Sequence, residues 1–99
     1  MLKQIRIGAD GKIVDADRST HTTKAGGKGG PDQVQWVRAP GVNGNYTIRF
    51  PGGPFQAGHS IEVPPGGPHT VSQPPGTYKY DVLDGSGGVT DDPDVIIDS

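Results

Sequence analysis

The run Pro74-Pro75-Gly76-Thr77-Tyr78-Lys79-Tyr80-Asp81-Val82-Leu83-Asp84 carries the clearest structural signal in the chain. A Pro-Pro-Gly turn leads into side chains that alternate. Tyr78, Tyr80 and Val82 fall on one face, and Thr77, Lys79 and Asp81 on the other. That is the period of a half-buried strand. Shorter runs of the same kind flank it on the N-terminal side, as if built to pair with it or face it.

Composition agrees with strands. The 99 residues include 17 glycines and 10 prolines. Such a share signals disorder when no pattern accompanies it, but here alternating segments lie between the Gly/Pro clusters. Valine and isoleucine together number 16, whereas leucine occurs only at Leu2 and Leu83. β-Branched side chains suit a pleated surface. The length fits one domain, residues 1–99, with one modest core. A net charge of -2, with both signs interspersed, gives no electrostatic case for nucleic acid or an anionic membrane. No apolar run approaches a membrane span. The start, Met1 to Arg6, lacks the apolar stretch of a secretion signal, so the expected location is cytoplasmic unless a leader has been removed.

Taken in order, Lys3 to Ile7 reads as a strand and Gly8 to Gly11 as a hairpin turn. Lys12 to Asp17 reads as the return strand, with Val14 and Ala16 inward. Thr20 to Lys24 suits an edge strand, and Ala25 to Gly30 a mobile glycine loop. Gln33 to Arg38 places Val34 and Trp36 on one face. Tyr46 to Phe50 alternates most cleanly, followed by His59 to Val63 and His69 to Ser72. Gly85 to Asp94 reads as a loop and Val95 to Ile97 as a closing strand. Trp36, Ile48, Tyr78, Tyr80, Val82 and Ile97 are the expected core. The spacing predicts an all-β Greek-key β-sandwich of about seven to eight short strands.

The order Asp32-Gln33-Val34-Gln35-Trp36-Val37, then Pro75-Gly76-Thr77-Tyr78-Lys79-Tyr80, then a β-branched terminal strand resembles a cupredoxin of the plastocyanin/azurin type. The similarity spans residues 32–98. It implies a Greek-key sandwich, and in that family one copper held by histidines, a cysteine and usually a methionine. Carried over, the cysteine position falls at about Val82 and the second histidine in Leu83 to Gly88, where there is none. The first would fall in Ala39 to Asn45, which also has none. The only methionine is Met1. Pro68-His69-Thr70-Val71 looks like a copper-histidine tetrapeptide but lies on the strand before the relevant one.

Other chemistry is sparse. The three histidines, His21, His59 and His69, have no local metal-motif spacing. Asp84, Asp91, Asp92, Asp94 and Asp98 could supply hard oxygens to calcium, but without EF-hand spacing, and they read as a solvated turn. Ser60, Ser72 and Ser86 lack a nucleophile elbow. Gly26-Gly27-Lys28-Gly29-Gly30 lacks the phosphate-loop pattern. Trp36, Tyr46, Tyr78 and Tyr80 could form a binding platform if exposed, but at alternating positions they read as core.

The resulting expectation is a copper-free, cupredoxin-like module that is not an enzyme and has no cofactor and no catalytic or metal site. Its expected partner is another protein, with no nucleic acid and no membrane. The expected contact surfaces are Arg18 to Pro31, Ala39 to Asn45, Pro51 to Gly58 and Asp84 to Asp94. The alternative is a small protein binding calcium, zinc or copper through surface His or Asp residues. One outcome follows from chemistry alone. Type-1 blue colour needs a copper–thiolate bond, and this chain has no cysteine. Added Cu(II) should give at most a pale tetragonal spectrum, and EDTA should leave the melting temperature unchanged. A tightly held, intensely blue copper would overturn this.

Overall fold

The computed structural model describes residues 2–23, 32–51, 60–71 and 74–98. The chain is all-β. Its strands are β1 (Leu2–Ile7), β2 (Ser19–Thr23), β3 (Gln33–Arg38), β4 (Tyr46–Arg49), β5 (Ser60–Val63), β6 (His69–Thr70), β7 (Gly76–Lys79), β8 (Asp81–Leu83), β9 (Val89–Asp91) and β10 (Asp94–Asp98). A 3-10 turn occupies Asp15–Asp17. Among the described residues no helix is long and apolar enough to cross a membrane.

Three sheets form, with strand orders β1-β3-β6, β2-β10-β7 and β5-β4-β8-β9. β1 with β3 and β2 with β10 are parallel, and the other pairs are antiparallel. The sheets share one hydrophobic core. Alternation decides which side chains enter it: Ile5 and Ile7 from β1, Val34 and Trp36 from β3, Ile61 and Val63 from β5, Val95 and Ile97 from β10. Each fully buried aliphatic side chain contributes about 1.5–3 kcal/mol through the hydrophobic effect. At the centre, the Trp36 ring meets Phe50 at 5.8 Å and Tyr80 at 5.5 Å, both edge-to-face, and Phe50 lies 4.9 Å from Tyr80. Such geometry sets the positive ring edge against the negative ring face.

The run Thr77 to Leu83 is not one uninterrupted strand. It divides at Tyr80, so that β7 pairs with β10 while β8 pairs with β4 and β9. The reason stands across the ladder. The Tyr80 N–H donates to the Pro93 carbonyl at 3.1 Å, but proline has no N–H to return a bond. A register shift between Val82 and Leu83 adds to the break. Tyr80 and Val82 are buried as expected. Tyr78 is only half-buried, packed on the rim of the core with its hydroxyl donating to the Pro74 carbonyl at 2.6 Å.

The expected return strand Lys12 to Asp17 does not form. The turn at Gly8 to Gly11 is present, Ile13 bridges Ile7, and Val14 N–H reaches the Arg6 carbonyl at 3.0 Å. The chain then coils into the 3-10 turn, where Ile13 is buried, Val14 half-buried and Ala16 exposed. Asp17 supplies the cause: its Oδ2 accepts the Arg6 backbone N–H at 2.9 Å and also pairs with the Arg6 guanidinium. A carboxylate that takes a ladder donor competes with strand pairing.

Two more differences concern loops. The expected loop Gly85 to Asp94 contains β9, which raises the strand count to ten among the described residues. The Pro64–Pro68 break docks on β3, where the Trp36 N–H donates to the Gly66 carbonyl at 2.9 Å. A Cβ on Gly66 would stand 2.0 Å from the Trp36 carbonyl oxygen, and φ there is +71°, so only glycine fits. The glycine loop Ala25 to Gly30 lies outside the described residues.

Trp36 has no exposed surface. Trp36→Ala should therefore cost about 3–5 kcal/mol, the usual penalty for emptying a large aromatic site. Equilibrium urea unfolding reads this directly, and a midpoint equal to the parent's would contradict the central placement of the ring.

Candidate functional site

Of the carboxylates considered for calcium, Asp84 and Asp91 are occupied with holding the chain together. Asp84 Oδ1 accepts the Ser86 N–H at 3.0 Å, the Ser86 hydroxyl at 2.8 Å and the Gly88 N–H at 3.0 Å. These donors close the β8–β9 connection. The Ser86 side chain foremost, then the Gly88 and Ser86 backbone, hold the Asp84 carboxyl below its ordinary value. Asp91 is more deeply set, with 7% of its side chain exposed. Its Oδ2 accepts the Ile13 N–H at 2.9 Å and pairs with the Arg18 guanidinium. Burial alone would raise this carboxyl, but Arg18 and the Ile13 and Asp92 N–H groups outweigh it and hold it low. Asp91 thus ties β9 to the segment between β1 and β2. Thr90 reinforces the tie: its hydroxyl lies 2.7 Å from the Gly11 carbonyl and 3.2 Å from that of Val82. Asp98 sits 3.2 Å from His21 Nδ1 at the exposed end of β2 and β10. Asp92 is exposed, and its carbonyl accepts Lys79 Nζ at 3.0 Å.

The two described histidines, His21 and His69, do not converge. His21 is on β2 beside β10, while His69 is on β6 and pairs with Val34 of β3. Partial burial holds the His69 ring below its ordinary value and favours the neutral form. His59 lies outside the described residues, as do Ser72 and Gly26 to Gly30. Among the described residues no group of three or more His, Asp or Glu is placed to hold a metal ion. Ser60 is exposed on β5, and Ser86 serves the Asp84 loop. Val82, at the position matched to a copper cysteine, is fully buried in β8.

Of the aromatic platform candidates, Trp36, Tyr46 and Tyr80 belong to the core, which leaves Tyr78. Burial pushes the Tyr80 phenol well above its ordinary value, an effect that the facing Trp36 indole only partly opposes. Tyr80 stays neutral there and behaves as a core ring. Tyr78 instead borders a groove of about 430 Å³ lined by Pro51, Thr77, Tyr78, Lys79, Tyr80, Asp81 and Asp92. The groove follows from the strand order. β7 ends its sheet, so no described strand pairs with its outer edge. β4 last meets the strand run at Arg49 opposite Asp81. The next residues are Phe50, buried in the core, and Pro51, which cannot donate to a ladder. The space that a longer β4 would fill beside β7 is the groove. Its rim carries the Arg49–Asp81 ion pair at 3.1 Å.

The groove runs along a strand edge and takes Pro51 and Asp92 from two of the loops that the sequence offered as contact surfaces. The missed signal was Pro51 directly after the alternating run Tyr46 to Phe50. Comparison with family models, with curated proteins and with solved structures found no match to this chain.

Asp91→Asn tests whether that carboxylate is structural. A carboxyl held below its ordinary value of 3.8 contributes stability above that pH and loses it as pH falls through the folded value. The variant should melt lower than the parent at neutral pH, and the gap should shrink on acidification below about pH 4. A gap independent of pH, measured by thermal melts from neutral to acid, would show that the charge of Asp91 is not what matters.

Proposed function

We propose that this chain is a copper-free, cupredoxin-like β-sandwich that acts as a non-catalytic binding module. Its ligand is an extended segment of another protein, laid along the outer edge of β7. The observation that carries the reading is the groove at Thr77 to Asp81. There a strand edge unpaired among the described residues, a half-buried tyrosine ring and a flanking proline occur together. A strand edge presents backbone donors and acceptors at fixed spacing, which is how sheets take up peptides by strand addition. Tyr78 offers an apolar ring at small entropic cost, and Lys79 and Asp81 offer charges of both signs beside it.

The cupredoxin-like and Greek-key parts of the reading draw support from the sheet orders. Sheet β1-β3-β6 forms one layer. The other two sheets are joined covalently through Tyr80, and so give a second layer running β2-β10-β7 and on through β8 to β4 and β5. Antiparallel neighbours distant in sequence, such as β3 beside β6 and β4 beside β8, are what Greek-key connections produce. The non-catalytic part draws support from the carboxylates: Asp17, Asp84 and Asp91 are each engaged by backbone donors that hold the fold.

Tyr78→Ala should weaken capture of the partner by about tenfold or more, the range of a central aromatic contact. Val89→Asp, at an exposed position on β9, should leave capture unchanged. In labelled protein, the amide signals of Gly76–Lys79 should shift and gain protection from exchange when the captured partner is added. Shifts confined to Ala39 to Asn45 or to the Asp84 loop, with Tyr78→Ala binding normally, would move the interface to the loops.

A further inference from the structure

Three points in the described chain place an Asx residue before glycine: Asp10-Gly11, Asn43-Gly44 and Asp84-Gly85. This dipeptide can close on itself. The glycine nitrogen attacks the side-chain carbonyl carbon, and no Cβ hinders its approach. With asparagine, a C–N bond forms, ammonia leaves, and a five-membered succinimide results. Water then opens either imide carbonyl and leaves aspartate or isoaspartate, so that amide plus water gives acid plus ammonia. Two conditions control the reaction in a folded chain: the attacking nitrogen must be available, and the side chain must be able to swing onto it.

The structure separates the three points sharply. At Asp10-Gly11, the Gly11 N–H donates to the Gly8 carbonyl at 3.0 Å and Asp10 Oδ1 accepts the Lys12 N–H at 3.0 Å. Gly11 is also buried, and a Cβ on it would meet the Thr90 side chain at 2.8 Å. At Asp84-Gly85, the Asp84 carboxylate is held by donors from Ser86 and Gly88. At Asn43-Gly44 both restraints are missing among the described residues. Asn43 makes no hydrogen bond, the Gly44 N–H donates none, and both residues are exposed. The loop from Val42 to Asn45 has no regular structure; the Val42 N–H donates to the Ala39 carbonyl at 3.0 Å and Arg38 Nη1 to the Gly44 carbonyl at 3.1 Å, and neither bond holds the Asn43 side chain or the Gly44 nitrogen.

We infer that Asn43 is a site of spontaneous, age-dependent modification, at which the folded protein converts an amide to aspartate and isoaspartate. The change places a new carboxylate two residues past Gly41, beside the turn that Arg38 anchors. The isoaspartyl form also lengthens the main chain by one carbon in the loop joining β3 to β4. That form is a substrate for enzymes that methylate isoaspartyl carboxylates.

The test ages native protein in mildly alkaline buffer and maps its peptides by mass. Isoaspartate is scored with an isoaspartyl methyltransferase and a labelled methyl donor. Exposed loop segments open at almost no free-energy cost, so Asn43 should convert within about tenfold of the rate in a free peptide spanning Gly41 to Tyr46. Asp10 and Asp84 should stay unmodified in the native protein and react only when it is unfolded in urea. Asn43→Gln should abolish the methyl label while leaving the melting temperature unchanged. Conversion of Asn43 far slower in the protein than in the peptide would overturn the inference. So would equal labelling at Asp10 or Asp84 in the native state.

Discussion

Tyr80 is the residue on which the rest of the arrangement depends. Its ring completes the contact set with Trp36 and Phe50 at the centre of the core. Its backbone is the point where one continuous stretch leaves the β10 ladder and enters the β4 ladder. A residue buried on its side chain and pivotal in its backbone couples two sheets that share no other direct strand pairing among the described residues. The pivot holds because Pro93 stands opposite: it accepts the Tyr80 N–H but has nothing to donate, so the ladder pauses there without leaving a donor unpaired.

Away from that centre, side chains replace ladder bonds wherever strands are short. Asp32 is buried. Its Oδ2 accepts the Thr23 N–H, and its carbonyl accepts that of Val71. Asp17 plays this part for Arg6, and Asp91 for Ile13. The pattern suits a small domain rich in glycine and proline. Its strands bury few residues each, and unpaired backbone groups at their ends need partners. It also removes much of the acidic inventory from any binding chemistry. A carboxylate that accepts several backbone donors is no longer a free ligand.

On the proposed reading, recognition falls to an edge. β4 stops early because Pro51 follows Phe50, and the gap exposes the flank of β7 next to Tyr78. Strand edges are usually shielded because they invite unwanted pairing. Here the flank carries Lys79 and Asp81, each already engaged, by the Asp92 carbonyl and by Arg49. Charged neighbours of this kind limit indiscriminate pairing.

The sequence by itself determined the all-β class, several of the strands and most of the core. Alternating Val, Ile and aromatic residues can bury one face only as strands, which is why β3, β4, β5 and β10 lie within a residue or two of where the pattern put them. It also ruled out thiolate chemistry, which needs an atom the chain does not contain. Local pattern could not show that Asp17 would coil Lys12 to Asp17 away from the ladder, or that Val89–Asp91 would pair with β8. Both depend on partners outside the segment itself, Arg6 in one case and Val82 in the other. The division of the Tyr78–Val82 run, and with it the exposure of Tyr78, came from Pro93 and from where β4 ends. Side-chain period fixes which face a residue takes. Only the tertiary structure decides which strand lies beside it, because hydrogen-bond register is a property of two segments and not of one.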